Sequence, residues 1–132
     1  MNAWLGYSFE ILCLQHVEQI KRAIGIGGVI TNVCSWNTLP NVELGIDGAQ
    51  IDLVIDRADN TINLCEMKFS KSKYAITKKY FDQLNEREGF FRQSTKTNKS
   101  LHTTLVTTRG VKQNMYSSVV QNEVILDDLF VE

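Results

Sequence analysis

Apolar residues recur at three- and four-residue spacing from Phe9 through Leu12, Cys13, Val17 and Ile20 to Ile24, the period of a helix with one buried stripe. The spacing predicts a single long helix over residues 3–24, closed by Gly25. Beyond it the period changes. The β-branched Val29, Ile30, Thr31 and Val33 predict a strand over 29–36, and Pro40, Asn41 and the stretch Gly45 to Gly48 predict an irregular connection. Two strands, 50–57 and 61–69, flank Ala58-Asp59-Asn60, a polar triplet suited to a turn between antiparallel neighbours. Residues 76–92 read as a basic amphipathic helix with Ile76, Tyr80, Leu84 and Phe91 inward. Residues 101–107 predict a fourth strand and 119–126 an irregular fifth, with Asp127-Asp128-Leu129-Phe130 closing the chain. The order of helix, three strands, helix, strand and tail predicts an α/β sandwich, a mixed sheet flanked by helices in the sequence αβββαβ.

Folding the central hairpin about Asp59 pairs residues whose numbers sum to 118. Asp52 then lies across from Glu66, Val54 from Leu64, and Gln50 from Lys68. Strict alternation places Gln50, Asp52, Glu66 and Lys68 on one face and Ile51, Leu53, Ile55, Cys65, Met67 and Phe69 on the other. Two carboxylates side by side within apolar strands repel unless a cation neutralises them. Oxygen-only ligands suit Mg²⁺ or Mn²⁺ better than zinc. The same residues also fit a solvent-facing ladder of cross-strand charges, and Glu-x-Lys on a strand is common.

The composition adds one informative fact. The chain has 132 residues, 43% of them apolar and 22% charged, with a single proline, as expected of one globular domain. Its net charge of -1 conceals three blocks. Residues 1–66 carry three basic and eight acidic side chains, residues 67–112 eleven and three, and residues 113–132 none and four. The central block suits a polyanion partner, although such runs also serve as solvated faces. The first Lys or Arg is Lys21, which argues against a secretory leader, and the near-apolar stretch 23–30 is too short to span a bilayer. Cys13, Cys34 and Cys65 form no CxxC pair, so neither a disulfide framework nor a structural zinc site is expected, and a reducing cytoplasmic location follows. Gly25-Ile26-Gly27-Gly28 lacks the Gly-Lys-Ser/Thr of a phosphate-binding loop. His16 and His102 have no nucleophile partner at a telling position, and Trp4 and Trp36 read as core or interface anchors.

Asp52, then Glu66-Met67-Lys68 on the adjoining strand, preceded by a helix bearing Gly6-Tyr7-Ser8-Phe9-Glu10, resembles the PD-(D/E)XK nuclease superfamily in its Holliday-junction-resolvase arrangement. The run 48–57, the block Ile62-Asn63-Leu64-Cys65-Glu66-Met67-Lys68-Phe69 and the ending Leu126-Asp127-Asp128-Leu129-Phe130 resemble the C-terminal nuclease-like domain of bacterial and archaeal AAA-type ATPases. The resemblance covers nearly the whole chain; one departure is Ile51, where the motif has proline.

The resemblance implies a restriction-endonuclease-like core, a single domain belonging to a longer ATPase-containing protein, DNA as partner, and a pairing into homodimers. It implies Mg²⁺ or Mn²⁺ held by Asp52 and Glu66, with the Met67 carbonyl as a third oxygen and Glu10 acting through water. Lys68 would position or deprotonate the attacking water, and Gln50 would contact the scissile phosphate or orient Lys68. Two functions are then open: Mg²⁺-dependent hydrolysis of DNA phosphodiesters, or a catalytically silent nuclease-like module that binds nucleic acid or regulates a fused ATPase. Lys78, Lys79, Arg92, Lys96 and Lys99 are the candidate phosphate contacts, and Arg109 follows the fourth strand toward the same site.

Overall fold

A computed structural model describes residues 3–38 and 49–130; the irregular connection expected at Pro40, Asn41 and Gly45 to Gly48 lies outside the described residues apart from its borders. The first helical stretch is two helices, α1 (Ala3–Gln15) and α2 (Val17–Ala23). His16 breaks the expected single helix by leaving helical dihedrals, at φ -123° and ψ 35°, while its ring packs edge-on against Phe130 at 5.5 Å. Gly25 ends α2 as the sequence predicts. At φ +81° its N–H donates to the Arg22 carbonyl at 3.0 Å, and Ile26 N–H donates to the Lys21 carbonyl at 2.9 Å, the paired bonds of a Schellman stop.

The sheet follows in the order β1 (Thr31–Thr38), β2 (Ala49–Arg57), β3 (Thr61–Lys68), β4 (Ser100–Thr107) and β5 (Asn122–Ile125). The first three strands are antiparallel neighbours; β4 runs parallel to β3, and β5 parallel to β4. The mixed α/β architecture expected from the pattern is therefore present. The β2–β3 register places Leu53 opposite Cys65 and Arg57 opposite Thr61, the pairing about Asp59 read from the sequence. Asn60, at φ 67°, supplies the left-handed residue that a three-residue hairpin loop requires. Helix α3 (Lys78–Thr95) is the crossover from β3 to β4. Its N-cap is Thr77, whose hydroxyl accepts the Tyr80 N–H at 3.1 Å, and it ends at left-handed Lys96. The irregular fifth strand shrinks to four residues between 3-10 turns at Ser117–Val119 and Leu126–Phe130.

Two apolar layers cover the sheet. Phe9, Cys13 and Ile20 from α1 and α2 pack with Leu53, Ile55, Cys65, Val106, Val124 and Leu129. On the other face Phe91 of α3 packs with Val54, Ile62, Leu64 and Leu101, while Tyr80 and Leu84 meet Leu105. Ile51 belongs to this second layer, against the expectation that it shares a face with Leu53. The cause is a β-bulge: Cys34 pairs with Val54 and Trp36 with Ile51, so β2 spends three steps where β1 spends two. The extra residue inverts the alternation at Asp52 and Leu53. Within the sheet, fully buried Asn63 is satisfied by donating to Thr104 Oγ1 at 3.0 Å and Asn122 Oδ1 at 3.1 Å, and by accepting from Arg57, which ties β3 to β4 and β5.

Candidate active site

The bulge sets the geometry of the site. A residue re-aimed by a bulge leaves the face that its strand neighbours predict. Asp52 is hydrogen-bonded to Glu10 of α1, whereas Glu66 is ion-paired with Arg87 of α3 and Lys68 stands over the ring of Tyr80, also on α3, with Nζ 4.8 Å from its centroid. The single polar face expected from strict alternation is thus corrected: the carboxylates are gripped from the two helical layers separately. They remain close enough to feel one another, since the charge of Asp52 disfavours ionisation of both Glu10 and Glu66. The described β2–β3 ladder ends at Leu53 and Cys65, one residue short of both. Gln50 does not pair across from Lys68. Its side-chain amide instead donates to Asp52 Oδ1.

Electrostatics mark this cluster. The Glu10 carboxyl is pushed up to about 7, first by its hydrogen bond with Asp52, then by burial and by the charges of Asp52 and Glu66, with Lys68 opposing. Glu66 is also raised, because burial outweighs the attraction of Arg87 and Lys68. A carboxyl group raised as far as that of Glu10 is unusual away from functional sites. Burial raises the Tyr80 phenol, and its hydroxyl is buried with no partner among the described residues. By contrast, Cys13 is pushed up to about 12 and Cys65 higher still, both by burial, which makes them inert core thiols.

Arg87 is the participant that sequence reasoning missed. Its signal was available: Tyr80, Leu84, Arg87 and Phe91 follow one stripe of α3, so a permanent cation sits on the inward face of the helix.

The donor set fits a hard divalent cation in its chemistry. All the acceptors are oxygens, their negative charges are crowded enough to retain a proton on Glu10, and the unpartnered Tyr80 hydroxyl has a bond to give or take. Among the described residues no group of three or more His, Cys, Asp or Glu side chains is close enough to enclose an ion unaided. Met67 lies between Glu66 and Lys68 on β3, its side chain against the α1 layer.

The candidate phosphate contacts fall into two groups. Lys78 and Lys79 open α3 near the carboxylate end of the sheet, where Lys78 pairs with Asp82 at 2.8 Å. Arg92 lies at the far end of this helix, which is about 27 Å long, and donates to the Thr97 carbonyl at 3.0 Å. Lys96 is the C-cap, and Lys99 bonds Asp56 at 2.6 Å beside the hairpin turn. The structure does not bring Arg92, Lys96 or Lys99 to the carboxylates.

Among solved structures, the chain is similar to the crystal structure of AF1548, a protein of unknown function, with a TM-score of 0.55 and 16% identity over 86% of this chain. The likeness is one of fold. It covers 56% of the AF1548 chain, so the present chain spans little more than half of that protein's length. No family model and no curated protein matches the sequence.

Proposed function

We propose that this chain is a nuclease domain that hydrolyses DNA phosphodiesters with Mg²⁺ held by Asp52 and Glu66. One observation carries the reading: carboxylates from α1, β2 and β3 and a lysine two residues beyond the last of them converge where the hairpin ladder stops. The bound ion supplies charge neutralisation at the phosphate and acidifies water. Asp52, bonded to Gln50 and Glu10, and Glu66, paired with Arg87, would hold it. Lys68, its ammonium resting on the Tyr80 ring, presents a fixed cation to the charge that develops on the phosphate. Glu10, hydrogen-bonded to Asp52, would hold the ion through water.

Cleavage of supercoiled plasmid in Mg²⁺ tests this. Asp52→Asn and Lys68→Met should each slow cleavage by about 10²-fold or more, and full activity in both variants would refute the proposal. The silent-module reading is favoured by the Glu66–Arg87 pair, which satisfies a buried carboxylate without a metal. It expects DNA binding with no heat of Mg²⁺ uptake in calorimetry. A reducing, cytoplasmic setting suits the free thiols of Cys13, Cys34 and Cys65; no helix among the described residues is long and apolar enough to cross a membrane.

A further inference from the structure

A pocket of about 520 Å³ opens at the carboxyl ends of the parallel strands, lined by Phe69, Ser70, Lys71, Thr108, Arg109 and Asp127 among others. Open α/β sheets place ligands at this edge, and the volume is that of a small-molecule site. The two loops that carry the cations are stitched together. Ser70 N–H donates to Thr108 Oγ1 at 2.9 Å, and the Thr108 hydroxyl donates to the Ser70 carbonyl. Further along, Tyr74 N–H donates to the Gly110 carbonyl and Lys112 N–H to the Tyr74 carbonyl, both at 2.8 Å. Lys71 and Arg109 therefore project from a braced rim, both exposed, and neither belongs to an ion pair among the described residues.

The chemistry of the occupant follows from charge and position. Two cations face one carboxylate, Asp127, leaving a single positive charge to neutralise. That matches a monoanion such as a phosphodiester better than a dianionic phosphate ester. Two residues, Phe69 and Ser70, separate Lys71 from Lys68, a reach of at most about 11 Å over three steps. The pocket's apolar wall, Phe69, packs edge-on against Phe9 at 6.1 Å, and Phe9 adjoins Glu10 in α1.

We propose that this pocket is a phosphodiester subsite in which Lys71 and Arg109 hold a backbone phosphate adjoining the one at the carboxylates. The assignment rests on the nuclease reading for the strand that passes there. Arg109 can grip two phosphate oxygens with its guanidinium fork, whereas Lys71 acts as a point charge. Together they fix where the backbone lies without reading its bases.

The test is DNA binding under conditions that prevent cleavage. Anisotropy of a short labelled duplex is followed with Ca²⁺ replacing Mg²⁺, as salt rises from about 50 to about 200 mM. Two lost phosphate contacts flatten the slope of log affinity against log salt by about 1.8, so the wild-type chain should lose affinity about 12-fold more steeply over this range than the Lys71→Gln, Arg109→Gln double variant. The Lys71→Arg, Arg109→Lys double variant keeps both charges and should retain the wild-type slope. Equal slopes in the wild-type and glutamine variants would overturn the subsite while leaving the nuclease reading intact. Absence of DNA binding by the wild-type chain at every salt concentration would remove both. Inorganic phosphate is the second probe: if it shifts the Ser70 and Arg109 amide resonances while the DNA slope is unchanged by the glutamine variant, the pocket is a small-anion site and the strand assignment falls.

Discussion

Replacing Glu10 by Gln removes one titrating group from the carboxylate cluster and keeps a side chain that can still donate to Asp52. In the wild-type chain the Glu10 carboxyl rises from 4.5 to about 7, so between these values the folded state holds a proton that the unfolded chain releases. The stabilisation from that proton is complete below about pH 4.5 and is lost as pH climbs through about 7. At about 1.4 kcal/mol per pH unit the full shift would amount to about 3 kcal/mol. Glu10 is only partly buried, and solvent screening reduces the expected effect to about 1 kcal/mol. Burial also raises Glu66, which adds a loss of the same sign common to both proteins. Urea unfolding in EDTA from about pH 5 to pH 8 isolates the Glu10 contribution. The wild-type chain should lose about 1 kcal/mol more than Glu10→Gln across that range, a difference of about 0.3 to 1 M in urea midpoint. Superimposable pH profiles would show that Glu10 and Asp52 share no proton. With Mg²⁺ present, the ion competes with that proton, so its affinity for the wild-type chain should fall as the pH drops below about 7.

Two further expectations concern stability. Tyr80→Phe deletes a buried hydroxyl that has no partner among the described residues, so thermal or urea unfolding should show no loss and up to about 1 kcal/mol of gain; a loss beyond about 1 kcal/mol would mean that the hydroxyl is bonded in solution. Gly110, at φ +96°, has only ordinary contacts awaiting a Cβ, the nearest at 3.7 Å, so Gly110→Ala should cost about 1 to 2 kcal/mol through backbone conformation alone. Gly89→Ala in α3, where nothing lies within 4 Å, should instead stabilise by about 0.5 to 1 kcal/mol, and a reversal of the two signs would contradict the backbone described for these sites.

Much of the fold was legible because local chemistry and tertiary packing agree. Gly25 and Asn60 stop a helix and turn a hairpin through their tolerance of positive φ, both readable from residue type, whereas the Thr77 cap starts α3 two residues later than the apolar pattern predicts. The pairing about Asp59 followed from the turn and the apolar periodicity. The break at His16 was not legible, since the apolar stripe continues across it and nothing in Leu14-Gln15-His16-Val17 signals a change of direction. Nor was the bulge, because an inserted residue in β2 shows itself only against its partner β1. That one misreading moved Ile51 to the other layer and assigned Asp52 to the face of Glu66. Of the candidate site, Glu10, Asp52, Glu66 and Lys68 were named from residue order and resemblance, and the structure brings their charges within reach of one another. Arg87 escaped notice because a basic helix offers many cations and only its place on the buried stripe singles it out. The basic block, continuous in sequence, is split along α3 toward opposite ends of the sheet, a separation that composition does not encode.

The bulge in β2 works as a frame of reading for the sheet. On its hairpin-loop side, even-numbered residues of β2 belong to the α3 layer; beyond it, odd-numbered Ile51 does. Deleting Asp52 or Leu53 would restore uniform alternation and leave Ile51 on the face of Val54, but a single residue would then remain between them to face α1, so the strand would keep either Asp52 beside Glu10 or Leu53 in the core, not both. The extra residue is what lets core and site share that side of the strand. The same stagger ties the separation of the carboxylates to the docking of two helices that do not follow one another in the chain, so loosening α1 alone would release Glu10 and leave Glu66 in the grip of Arg87.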